Sequence, residues 1–372
     1  MREDQQYRIP SGCAVVGILN QDGTRISGES IIRSIAVMHE RSNGLGGGFV
    51  GYGIYPQYAD YYAFHVLYDH RQAVPVTENL LRNECNIVFE EDIPFLETRG
   101  VYNHPYLKRY FLRIKREFPN EDDEIVWLVM KINSSIDGAY VISSGKNMGI
   151  FKGVGYPEDI GRFFRLEEYE AYCWISHGRF PTNSVGWWGG AHPFGLLSWS
   201  VVHNGEISSY GINRRYLQNF DYLCNLQTDT EVIAYLIDLL VRKHDIRIPY
   251  LGAVLASPFW HEIEQMPEPQ KTFYRSLRMI YGGALLNGPF SIIVGFDGGM
   301  FGLVDRIKLR PMIAAWKNEI FYLASEESAI REIAPVMDEI RPLRAGEVVR
   351  GQVGEKIHHG QKLAVSRVYN CA

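Results

Sequence analysis

Apolar positions fall along this chain in short blocks bounded by turn residues, not in long helical stretches. Ala14–Leu19 is a continuous apolar run closed by Asn20-Gln21-Asp22-Gly23, which predicts a buried strand and a turn. From about Gly28 to His39 the apolar residues are Ile31, Ile32, Ile35 and Met38, a helical spacing. A glycine-rich turn, Arg41-Ser42-Asn43-Gly44-Leu45-Gly46-Gly47-Gly48, leads into an expected strand at Phe49–Tyr55. It has neither the spacing nor the strand-before-helix context of a phosphate loop. The segment of about 56–138 differs in character and reads as an insertion or small subdomain. It holds an expected strand at Tyr61–Leu67, an aromatic and basic helix at about Tyr106–Phe118, and an acidic loop, Asn120-Glu121-Asp122-Asp123-Glu124.

Strand character returns at Ala139–Ser143 and Met148–Lys152, joined by the turn Ser144-Gly145-Lys146-Asn147. A short helix around Pro157–Phe164 and strands at Ala171–Ser176 and Leu196–Val202 follow. Thr228 with Glu231 three residues on predicts a capping box, so a helix starts there with Asp229 in its first turn. The last third gives strands at Phe290–Phe296, Met300–Val304, Met312–Trp316 and Ile320–Ala324, a helix at about Glu326–Met337, then Gly346–Val349. Strands in hairpin-length pairs outnumber the helices between them. The expectation is therefore α+β with antiparallel sheets, not a doubly wound parallel sheet.

At 372 residues the chain can bury a sizeable core. A formal net charge of −5 gives no basic field for nucleic acid. No run of eighteen apolar residues predicts a membrane span. The start, Met1-Arg2-Glu3-Asp4-Gln5-Gln6-Tyr7-Arg8, lacks the apolar region of a secretory signal. The five cysteines (Cys13, Cys85, Cys173, Cys224, Cys371) are an odd number, far apart, with no C-x-x-C pair. That argues against a disulfide framework, an iron–sulfur cluster or a structural zinc site, and reduced thiols in a cytoplasm fit best.

Cys13 stands directly before the first apolar run, in Ser11-Gly12-Cys13-Ala14-Val15-Val16-Gly17-Ile18. By itself it is a buried structural cysteine as readily as a nucleophile. Were the chain cut between Gly12 and Cys13, one residue would carry both a thiol and a free α-amine able to take the thiol's proton. While Cys13 is internal, its nitrogen is an amide and cannot serve. Two further blocks combine unusual residues: Ser176-His177-Gly178-Arg179-Phe180-Pro181-Thr182-Asn183 and His203-Asn204-Gly205-Glu206. An Asn-Gly pair reads as a turn. It also offers a side-chain amide and a backbone N–H that can converge on an oxyanion, with glycine allowing close approach. Arg179 is either a surface residue or a fork for a carboxylate. Asp229 either favours its helix N-terminus or accepts hydrogen bonds from a substrate ammonium group.

With these stretches in view, the chain resembles the class II glutamine amidotransferases, which are N-terminal-nucleophile hydrolases, and most closely the amidotransferase part of glutamate synthase. The matching strings are Gly12–Ile18, the Arg41 turn, Ser176–Asn183, His203–Glu206, Thr228–Glu231, Asp305-Arg306-Ile307-Lys308-Leu309-Arg310-Pro311, Ala324–Ser328 and Arg344–Glu347. They run in family order over nearly the whole chain apart from about 56–138. The turn carries Glu40-Arg41-Ser42 where the family more often has His-Arg-Gly.

The resemblance implies a four-layer αββα sandwich of two antiparallel sheets. It implies hydrolysis of L-glutamine to glutamate and ammonia by Cys13 after removal of residues 1–12, with Asn204 and Gly205 as oxyanion hole. Arg179 would hold the glutamine α-carboxylate and Asp229 its α-amine, with Arg41 near the nucleophile. His177 and His203 are given structural parts, because the Cys13 amine already supplies a base. No metal or cofactor is expected in this chain; flavin and iron–sulfur, if any, would lie in a partner. No region resembling an ammonia-accepting domain follows, so a separate synthase subunit is the expected partner. The alternative is an unprocessed, non-catalytic assembly or regulatory subunit with the same fold.

Overall fold

A computed structural model describes residues 12–115, 120–180 and 186–355. Residues 1–11, Pro181–Asn183 and Cys371, which enter the sequence argument, lie outside the described residues.

Two antiparallel sheets face each other. One has seven strands in the order Glu339–Pro342, Ile313–Lys317, Ile320–Ala324, Ala14–Asn20, Cys173–Gly178, Gly47–Tyr52, Met148–Gly153. The other has five: Phe194–Leu196, Trp199–Gly205, Phe290–Phe296, Gly299–Val304, Val348–Gln352. Because side chains alternate across a strand, Ala14–Asn20 serves two cores at once. Val15 and Leu19 meet Val50, Ile175, Val202, Ile293 and Met300 between the sheets. Ala14, Val16 and Ile18 point the other way, toward Ile31 and Ile35 of the helix Glu29–Ala36 and Ile160 of the helix Pro157–Phe163. A strand buried on both faces has to read as a continuous apolar run, and this one does. The outer face of the five-stranded sheet is covered by the helix Asp229–Asp238 through Val232, Ile233, Leu236 and Ile237. Helix, sheet, sheet and helix give the expected αββα layering.

The segment of about 56–138 supplies Tyr62–Tyr68, Cys85–Asp92 and Tyr106–Ile114 to a four-stranded sheet completed by Ala139–Ser143. Its apolar side chains, including Tyr68, Leu128 and Ile132, join the same core as Phe194 and Leu196 of the five-stranded sheet.

Four local expectations change. The helix expected at 106–118 is the strand Tyr106–Ile114, an inner strand paired on both sides, whose burial on both faces hides the two-residue period. The acidic run is the first turn of the helix Glu121–Ser135. The Asn120 side chain caps it by accepting the Asp122 N–H at 3.1 Å, and acidic residues there favour the helix dipole. Ala139–Ser143 and Met148–Gly153 do not form one hairpin but enter different sheets. The helix at Asp229 starts where expected, with Thr228 accepting the Thr230 N–H at 3.2 Å. Glu231, however, turns away from a capping box to accept the N–H groups of Asn225 (3.1 Å) and Leu226 (2.9 Å).

Candidate functional site

Register brings the candidate residues to one corner. Ala14 pairs with Gly178, which places Cys13 beside Arg179 at the ends of adjacent strands. The backbone N–H of Phe180 donates to Cys13 Sγ at 3.4 Å. Arg41, in the short turn His39–Arg41, donates from Nη2 (3.3 Å) and Nε (3.4 Å) to the Cys13 carbonyl, and its Nη1 pairs with Glu326 at 2.7 Å. Across the gap between the sheets, Asn204 and Gly205 close the strand Trp199–Gly205, so the Asn-Gly pair is a strand end and not a turn.

Gly12 marks where these groups converge. A Cβ there would stand 3.1 Å from Arg41 Nη2, 3.2 Å from Arg310 Nη1 and 3.8 Å from Asn204 Oδ1. Asn204 is fully buried, yet among the described residues neither its Nδ2 nor its Oδ1 has a hydrogen-bond partner. Leaving a buried amide unpaired costs about 1–3 kcal/mol, a cost that folding alone does not explain. Gly205 has φ of +139°, and a Cβ on it would lie 1.9 Å from the Pro289 carbonyl oxygen. Glycine is required there by space as well as by conformation.

Burial raises the Cys13 thiol above its ordinary range. The Phe180 N–H and the charges of Arg179, Arg310 and Arg41 work in the opposite direction. Asp229 joins the corner through Arg179, on whose charge it acts. Its carboxylate accepts from the Ile207 N–H (3.1 Å) and the Thr230 hydroxyl (3.3 Å), with His203 Nδ1 at 3.5 Å. Burial would raise its pKa, but the His203 ring and these donors hold it below the ordinary carboxylate value.

The histidines form a buried layer behind the corner. His177 Nε2 donates to the His203 carbonyl at 3.0 Å, and His192 stacks on His177 with ring centroids 4.1 Å apart. Burial pushes His177 down to about 3, so it stays neutral at physiological pH. His192 Nε2 lies 2.6 Å from the Thr230 hydroxyl, so the layer braces the helix that carries Asp229.

Sequence reasoning missed Arg310 as an individual residue, although its string was among those compared. It also missed the Phe180 N–H, which no residue type announces. A cavity of about 420 Å³ opens elsewhere, lined by Tyr55, Tyr58, Arg109 and Phe111 among others, and none of the candidate residues lines it. Among the described residues no group of three or more His, Cys, Asp or Glu is placed to hold a metal, and no helix is long and apolar enough to cross a membrane.

The family profile of the class-II glutamine amidotransferases matches residues 90–349. The chain belongs to that family. An uncharacterized protein of Archaeoglobus fulgidus is 48% identical over 92% of this chain and 92% of its own length. A protein of Methanothermobacter thermautotrophicus, provisionally assigned as a glutamine amidotransferase, is 26% identical over 90% of this chain and 98% of its own. Among solved structures, the glutamine phosphoribosylpyrophosphate amidotransferase of B. subtilis aligns with a TM-score of 0.44 and 13% identity. That alignment covers 93% of this chain and 50% of the other.

Proposed function

We propose that this chain is the glutamine-hydrolysing subunit of a glutamate-synthase-type amidotransferase, with Cys13 as nucleophile after removal of residues 1–12. The observation that carries the reading is the buried Asn204 amide near Gly12, without a hydrogen-bond partner among the described residues. A carboxamide held dry with an idle N–H donor suits an oxygen that becomes charged only during reaction.

In this reading the free α-amine of Cys13 takes the thiol proton and the thiolate attacks the side-chain carbonyl carbon of glutamine. Asn204 Nδ2 and the Gly205 N–H hold the tetrahedral oxyanion. The protonated amine then gives its proton to the departing nitrogen, releasing ammonia and leaving a thioester. Water, deprotonated by the same amine, attacks the thioester to give glutamate and the free thiol. Arg179 takes the α-carboxylate of glutamine, Asp229 its α-ammonium, and Arg41 steadies the backbone of Cys13. Ammonia passes to a separate synthase subunit.

The test is glutamine hydrolysis and labelling by an electrophilic glutamine analogue, in wild type and Cys13→Ala, with the N-terminal residue of the active protein determined alongside. Loss of both in Cys13→Ala, and activity confined to chains that begin at Cys13, is the expected result. Turnover by Cys13→Ala, or by protein that begins at Met1, refutes the mechanism.

A further inference from the structure

One buried carboxylate organises the loop that follows the strand Gly299–Val304. Asp305, 2% exposed, accepts the backbone N–H groups of Phe290 (3.3 Å), Ile307 (3.0 Å), Leu309 (2.8 Å) and Arg310 (3.4 Å). Charge-assisted bonds of this kind are stronger than neutral ones, and four on one side chain fix the path of the loop. The loop delivers Arg310 to the cysteine corner, where its Nη1 stands 3.2 Å from the place a Gly12 Cβ would take. Its Nε is buried without a hydrogen-bond partner among the described residues.

The other two guanidinium groups at this corner face carboxylates. Arg41, from the turn His39–Arg41, is paired with Glu326. Arg179, at the end of the strand Cys173–Gly178, is opposed by Asp229 from the helix Asp229–Asp238. His177, on the strand beside Cys13, is kept neutral by burial. Arg310 makes no ion pair among the described residues. It is the least compensated positive charge facing Cys13, held by a loop whose backbone is tied down by the Asp305 carboxylate.

We propose that Arg310 is a further functional residue of the cysteine site: its uncompensated guanidinium biases the Cys13 thiol toward thiolate and, once the chain begins at Cys13, keeps the α-amine in its free-base form. The proposal rests on the reading of Cys13 as the nucleophile. A nearby positive charge favours a thiolate and disfavours an ammonium group. In the transfer of the proton from thiol to amine the two effects offset each other. The gain is therefore in the population of unprotonated amine at neutral pH, where burial works against the thiolate. Arg310 acts through Cys13 and not on the substrate.

The experiment uses the full chain as wild type, Arg310→Met and Arg310→Lys. Iodoacetamide alkylation of Cys13 is followed from neutral to strongly alkaline pH by peptide-resolved mass spectrometry, and kcat/KM for glutamine is measured across the neutral range. Arg310→Met is expected to raise the alkylation midpoint by about one pH unit, making Cys13 about tenfold slower at neutral pH, and to move the acid limb of kcat/KM upward. Arg310→Lys, which keeps the charge, is expected to recover the wild-type profile. A wild-type midpoint in Arg310→Met, or a Lys variant as slow as the Met variant, overturns the proposal. Should Arg310→Met fail to fold, Arg310→Gln is held to the same criterion. Full hydrolysis by Cys13→Ala would overturn the nucleophile reading instead, while the alkylation comparison would still decide Arg310.

Discussion

Asn204 and Gly205 are neighbours with different obligations, and substitution separates them. Gly205 pairs with Phe290 in the sheet, and a Cβ on it meets the Pro289 carbonyl at 1.9 Å. Gly205→Ala is expected to lower the thermal unfolding midpoint together with activity, because adjacent backbones must part. The Asn204 side chain has no hydrogen-bond partner among the described residues, so Asn204→Ala is expected to lower kcat by about 10²–10³ with little change in that midpoint. Arg179 and Asp229, assigned to the α-groups of glutamine, are expected to act mainly through KM. Steady-state kinetics beside thermal melts check all four; a KM defect in Asn204→Ala with a pure kcat defect at Asp229 would reverse the roles. Cysteine selectivity follows from burial. It pushes the Cys85 thiol up to about 12 and raises Cys173 and Cys224 further. Of these four described cysteines Cys13 is expected to alkylate first at neutral pH, and replacement of the other three should spare hydrolysis. Mass mapping of a limiting iodoacetamide reaction reads this directly.

At the scale of elements, what the sequence disclosed depended on how many faces a segment buries. Ala14–Asn20 was legible because a strand covered on both faces is an apolar run closed by a turn. Tyr106–Ile114 was not, because Lys108 and Arg109 interrupt its apolar residues and mimic one stripe of a helix. Both charges are satisfied inside the fold: Lys108 pairs with Glu78, and Arg109 Nε donates to Glu91 at 3.0 Å. Pairing of that kind is invisible along the chain. Lys152 is the sharper case, a lysine 1% exposed on the strand Met148–Gly153. Its Nζ donates to the Gly189 carbonyl at 2.9 Å and lies 4.0 Å from the centre of the Phe194 ring, tying the strand to the Trp187–Gly190 turn. Burial lowers its pKa to about 7, below the unfolded value of about 10.4. Between those values the unfolded chain binds more protons, so this group makes stability rise with pH, by at most about 1.4 kcal/mol per pH unit. Glu231, raised to about 7 by burial, acts with the opposite sign and only below that pH. Between pH 7 and about 8.5, below the range where the thiols of the unfolded chain ionise, chemical denaturation is therefore expected to show a more positive slope in wild type than in Lys152→Met. Equal slopes in the two proteins would mean that Lys152 stays charged when folded.

On the scale of the whole molecule, the corner is assembled from segments far apart in sequence: Cys13, Arg41, Arg179, Asn204 and Arg310 meet only because the two sheets stack in this register. Motif strings in family order pointed to the assembly; the unpaired amide of Asn204 and the tethered charge of Arg310 needed the coordinates. The same assembly bears on how the chain works with others. Ammonia set free in water at neutral pH is mostly protonated and a poor nucleophile, so a fully active glutaminase without an acceptor would waste glutamine. The isolated chain is expected to hydrolyse glutamine slowly and to speed up when a synthase subunit binds. The measurement is glutamine turnover with and without proteins encoded beside this gene, with co-purification as a second readout. Faster turnover in the complex is the expected result. Full turnover by the chain alone, unchanged by any such protein, would mark it as a free-standing amidase.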